Sequence, residues 1–123
     1  MIDIEKLEEG LLIEANDFDI GVRQLVNDIS VQYRHLDREE TCRLAGNVIG
    51  SLFARNLVKL VKTRYRMQEE DVYAPISSAD LSEKELETFF NRPETWDEMG
   101  VFSKTEPVEV RITKKGRGHL STL

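Results

Sequence analysis

The spacing of apolar residues divides the chain into helix-period and strand-period stretches. Residues 1–16 carry Ile4, Leu7, Leu11, Leu12 and Ile13 without a clean period, and Gly10 weakens a helix through the middle. This N-terminal arm reads as a short helix or an extended segment. A helical stripe follows in Val22, Leu25, Val26, Ile29 and Tyr33, with Asp17 or Asp19 as its cap and Arg34 and His35 placed against its C-terminal dipole. The strongest helix signal spans residues 37–56. Asp37 and Glu40 have the spacing of a capping box, and Leu44, Ala45, Val48, Ile49, Leu52 and Phe53 make one apolar face. Asn56 stands where a left-handed residue ends a helix.

Beyond Asn56 the period changes. Residues 57–66, rich in β-branched and aromatic side chains, predict a strand. A polar loop with Pro75, Ser77 and Ser78 is expected next. Ser82 and Glu85 form a second capping box for a helix carrying Leu86, Phe89 and Phe90, which stops before Pro93, and Trp96 folds back over the core. Val108, Val110 and Ile112 alternate with Glu109, Arg111 and Thr113 in a half-buried strand. Thr113-Lys114-Lys115-Gly116 signals a turn at its end, and a basic tail follows. The expected fold is α+β: helices packed on one face of an antiparallel β-hairpin, with an acidic helical insertion (residues 67–103) between the two strands.

The length of 123 residues fits one domain whose core needs no metal or disulfide. Cys42 is the only cysteine, so no intrachain disulfide forms, which suits a reducing, cytoplasmic setting. An acidic start is unlike a signal peptide, and no long apolar run suggests a membrane span. The net charge is −6, but it is uneven. Residues 37–66 carry seven bases and three acids, residues 67–103 ten acids and two bases, and residues 104–123 five bases and two acids.

Enzyme signatures are absent from the pattern. His35, His119 and Cys42 are too few and scattered for metal-ligand spacing, and no nucleophile elbow or phosphate-binding glycine loop occurs. Ser77, Ser78 and Ser82 suit turn and cap positions. The run Glu69-Glu70-Asp71 reads as solvated surface. The expectation is a binding protein that is not an enzyme and carries no cofactor. Gly46, Gly50 and Ala54 recur every four residues, a smooth stripe for either an internal helix crossing or a homodimer interface. Lys59, Lys62, Arg64 and Arg66 fall in the first strand, and Lys114, Lys115 and Arg117 just past the second. Antiparallel pairing would put cations at both ends of the hairpin, as a phosphate grip or as ordinary edge protection.

The layout resembles bacterial winged-helix regulators of the multiple-antibiotic-resistance-repressor type. The resemblance rests on Leu52-Phe53-Ala54-Arg55-Asn56-Leu57-Val58, then a strand, then a returning strand ending Ile112-Thr113-Lys114-Lys115-Gly116, across residues 37–118. Asn56 stands where that family has Gly, and Ile112 where it has Leu. The resemblance implies a DNA-binding regulator, with Arg43, Asn47 and Arg55 on the reading helix and Arg64, Arg66, Lys114, Lys115 and Arg117 on the backbone. The acidic insertion supports a second class of function. In it Glu83, Glu85 and Glu87 cover a basic partner protein such as a toxin, as an immunity or antitoxin protein would.

Overall fold

The computed structural model describes residues 2–123. Helix α1 (Ile4–Asp17) leads through the two-residue strand β1 (Ile20–Gly21) into α2 (Val22–Gln32) and α3 (Arg38–Ala54). Strand β2 (Val58–Glu69) turns into β3 (Val72–Asp80), followed by α4 (Glu83–Asn91) and a 3-10 turn (Pro93–Thr95). The chain returns as β4 (Val108–Ile112) and ends in α5 (Lys114–Leu120). The four strands form one antiparallel sheet in the order β1-β4-β2-β3. The α+β class and the pairing of the two sequence-predicted strands hold, with Leu60 opposite Val110.

Local chemistry explains the element ends. Asp37 accepts the Glu40 amide while the Glu40 carboxylate accepts the Asp37 amide, closing the capping box of α3. At the other end Asn56 takes φ 60°, the Leu57 amide bonds the Leu52 carbonyl and the Asn56 amide bonds the Phe53 carbonyl. That pair of bonds is a Schellman closure, and it aims β2 back along α3. Ser82 and Glu85 close a second box on α4.

Four expectations are corrected. The loop around Pro75 is strand β3, the outer edge of the sheet. Proline survives there because an edge strand has one unpaired side, and the register shift between Arg64 and Tyr65 marks a bulge next to it. The N-terminal arm is a full helix capped by Asp3. Asp17 and Asp19 do not cap α2, whose cap residue is Gly21 with no side-chain bond. The Thr-Lys-Lys-Gly turn is the first turn of α5: the Thr113 hydroxyl accepts the Gly116 amide and donates to the Asn56 carbonyl at 2.6 Å. Gly116 is required by contact, because a Cβ there would lie 2.1 Å from the Leu57 carbonyl oxygen.

The helices bury one face of the sheet. Val58, Leu60, Val108, Val110 and Ile112 meet Leu11, Leu12, Val22, Val26, Val48, Ile49 and Leu52 in a single core. Phe89 and Trp96 extend it, stacked with ring centroids 4.5 Å apart, and the Trp96 indole N–H donates to the Phe89 carbonyl at 2.9 Å. The Gly46/Gly50 stripe is occupied from within the chain. A Cβ at Gly46 would sit 3.6 Å from Pro93 and Trp96, and one at Gly50 would sit 3.6 Å from Phe90. A homodimer could use that stripe only by displacing α4 and the 3-10 turn. No helix of the described residues is long and apolar enough to cross a membrane.

Candidate macromolecule interface

The expected nucleic-acid residues fall into three places. Arg43 and Asn47 project from α3 and are exposed. Arg55 sits at the α3–β2 corner beside α5, with its guanidinium 3.5 Å from His119. Lys114, Lys115 and Arg117 lie exposed on α5 at this same end. Arg64 and Arg66 lie exposed near the far end of β2. Arg64 lies six residue steps beyond Val58 along β2, about 20 Å of sheet. The two cationic ends therefore stand apart, as the antiparallel reading expects.

Several cations are already matched. Arg43 pairs with Glu39 one turn back, Arg55 with Glu8 of α1 at 3.4 Å, Lys59 with Asp80 at 3.2 Å and Lys62 with Glu85 at 3.0 Å. Among the described residues Arg64, Arg66, Lys114, Lys115 and Arg117 have no ion-pair partner.

The outer face of α3 is narrow. On one side α4 and the 3-10 turn lie against Gly46, Gly50 and Phe53, with the Phe53 and Phe90 rings 5.3 Å apart. On the other side α1 reaches in, and Glu8 accepts the Ser51 hydroxyl at 3.1 Å. At 100° per residue only Glu40, Arg43, Asn47 and Ala54 remain between these walls, and all four are exposed. The three bonds on Glu8, across 43 and 47 positions, and the aromatic wall from α4 all come from outside α3, so no pattern local to α3 announces them.

Of the three acids expected to meet a partner, Glu83 and Glu87 are exposed one turn apart on α4. Glu85 has a structural task. Its carboxylate accepts the Ser82 amide and the Lys62 ammonium, both at 3.0 Å. The Ser82 amide first, and then Lys62, lower its pKa to about 2. Exposed Glu94, Asp97 and Glu98 continue the acidic surface past α4.

The second face of the sheet carries polar side chains that the sequence left unassigned. Arg111 grips Asp19 through two nitrogens, at 3.0 and 2.7 Å, and its guanidinium also donates to the Ser78 hydroxyl at 3.2 Å. Tyr65 donates to the Glu109 carboxylate at 2.6 Å. Burial and that carboxylate push the Tyr65 hydroxyl up to about 12, so it stays a donor. Beyond β4 the β2–β3 hairpin continues as an arm. Its turn is Glu70-Asp71, just past Glu69 at the end of β2, and Met67, Val72 and Ile76 on the arm are exposed. Cys42 is buried, and desolvation pushes its thiol up, away from the thiolate a nucleophile needs.

Comparison with protein-family models, with curated protein sequences and with solved structures finds no match.

Proposed function

We propose that this chain is a non-enzymatic binding protein on a winged-helix-like scaffold, and that its partner is a basic protein surface rather than duplex DNA. The scaffold reading is supported by the order of elements: α2 and α3 precede the β2/β4 pair, and β1, placed between α1 and α2, closes the sheet next to β4. In such a scaffold α3 would read bases and the β2 arm would press the backbone. The observation that carries the choice of partner is the insertion of residues 67–103. It walls α3 with α4 and Trp96, and it places Glu69, Glu70 and Asp71 at the tip of the arm, where phosphates would repel them. The same insertion presents Glu83 and Glu87, which electrostatically favour a cationic partner, as in an immunity or antitoxin protein.

The test is affinity capture with the purified chain, followed by association kinetics of the captured protein. Wild type and Lys114→Glu/Lys115→Glu should capture the same basic protein. Glu83→Lys/Glu87→Lys should slow its association by about tenfold at low salt, with the difference shrinking as salt rises. Association indifferent to that charge reversal contradicts the proposal. A DNA-binding reading keeps one supporting observation, the three unpaired cations of α5, and would use them on phosphates.

A further inference from the structure

At the root of the arm a shallow, open depression of about 570 Å³ lies on the polar side of the sheet. Tyr65, Tyr73 and Asp71 line it from the hairpin, Glu109 from β4, and Lys104 and Pro107 from the segment before β4. Met67 is paired with Tyr73, so Tyr73 stands diagonal to Tyr65 on one face of the β2–β3 ladder. Diagonal neighbours lie about 7 Å apart, twice the thickness of a planar group, so the two rings can bracket a flat cation. Glu109 as a whole residue is 7% exposed. Its Oε2 accepts the Tyr65 hydroxyl, while its Oε1 takes no hydrogen bond among the described residues and stays open to solvent. Two carboxylates against one ammonium make the lining net negative, and Pro107 and the tyrosine rings offer apolar wall to an aliphatic stem.

We infer that this site receives an arginine side chain of the partner protein, its guanidinium between Tyr65 and Tyr73 and hydrogen-bonded to the free oxygen of Glu109. The inference rests on the basic-partner reading and adds its anchor point. Guanidinium fits better than ammonium because it is planar, stacks on aromatic faces and donates in a fork to a carboxylate. A residue within a protein fits better than a free small molecule because Met67, exposed and paired with Tyr73 across the ladder, offers apolar contact beside the anchor. The protonated Tyr65 hydroxyl holds the Glu109 carboxylate in place, so the acceptor is oriented before the cation arrives.

The test is a titration of the full chain, with its tyrosine rings isotope-labelled, by N-acetyl-arginine-N-methylamide, followed by NMR. Blocked citrulline, the neutral near-isostere, serves as the control. The arginine probe should shift the Tyr65 and Tyr73 ring signals saturably, and citrulline should bind about tenfold more weakly. Tyr73→Ala, a half-buried position away from the core, should weaken the probe by about threefold. Glu109→Gln should weaken it by about tenfold. Glu83→Lys/Glu87→Lys should leave probe binding unchanged. No saturable shift up to the solubility limit, equal shifts with citrulline, or indifference to both Tyr73→Ala and Glu109→Gln would overturn the inference. Probe binding without any basic partner would leave the site standing and remove the proposed function. A captured basic partner without probe binding would remove only the site.

Discussion

The two faces of the sheet are held in different ways. On the helix side Val58, Leu60, Val108, Val110 and Ile112 disappear into one apolar core. On the other side Lys59, Thr63, Tyr65, Glu109 and Arg111 lie among carboxylates and hydroxyls brought from β3, from the β4 neighbourhood and from Asp19 ahead of β1. Val61 on this second face is still fully buried, flanked in register by Glu109 and Asp80. Thr63 is buried with its hydroxyl unpaired among the described residues. The first face takes its stability from area removed from water, the second from directed contacts that fail singly. A surface of the second kind suits recognition, because its polar groups are already held at fixed positions.

Substitutions on the two faces should differ in size. Leu52 of α3 is fully buried in the apolar core, and Leu52→Ala should cost about 2–5 kcal/mol in chemical denaturation, as buried leucine truncations do. A loss near that of ordinary surface changes, about 0.5 kcal/mol, would move the core elsewhere. Gly116→Ala should cost about 1–3 kcal/mol through overpacking against the Leu57 carbonyl.

On the polar face Tyr65→Phe removes the only hydroxyl bonded to Glu109 among the described residues, at a cost of about 1–3 kcal/mol for a nearly buried acceptor left unpaired. The Tyr65 pKa is raised from 10 to about 12, so its stabilisation is complete below pH 10 and is lost as pH rises from 10 through 12. Thermal melts should show that alkaline limb in wild type and a shallower one in Tyr65→Phe. Glu85 supplies the opposite sign. Its pKa falls from 4.5 to about 2, so its contribution is present above 4.5 and is lost as pH falls toward 2. Glu85→Gln should lower stability most at neutral pH, and its difference from wild type should shrink as pH falls from 4.5 toward 2, which flattens the acid limb.

Gly50→Ala is the smallest change and a favourable one. The new Cβ would meet Phe90 at 3.6 Å, an ordinary contact, so the variant should gain up to about 1 kcal/mol from helix propensity. Destabilisation instead would mean that α4 packs on α3 more closely than that distance.

The apolar face was legible in the sequence because each of its residues obeys a local period. The α3 capping box, the left-handed Asn56 helix end, the alternation in β4 and the Ser82–Glu85 box are each set by residues only a few positions apart. The polar face was not legible, because Arg111 finds Asp19 across 92 positions and Tyr65 finds Glu109 across 44. Strand β3 hid for a different reason. An edge strand exposes almost every side chain, so Val72–Asp80 shows no alternation, and Pro75 reads as a loop unless the free edge is known. In α5 two glycines within seven residues masked a helix whose first turn is fixed by Thr113 and by the tight approach at Gly116.

If the insertion turns a winged-helix-like scaffold toward a protein partner, as proposed, the chain should bind duplex DNA poorly. Fluorescence anisotropy of a labelled duplex is read from about 50 to 200 mM salt, the range over which phosphate contacts lose most of their strength. The expected result is binding no tighter than the non-specific level in wild type, with no sequence preference when the duplex is changed. Tight, sequence-dependent binding that falls steeply with salt, and whose salt slope drops by about 2 in Lys114→Glu/Lys115→Glu, would contradict it.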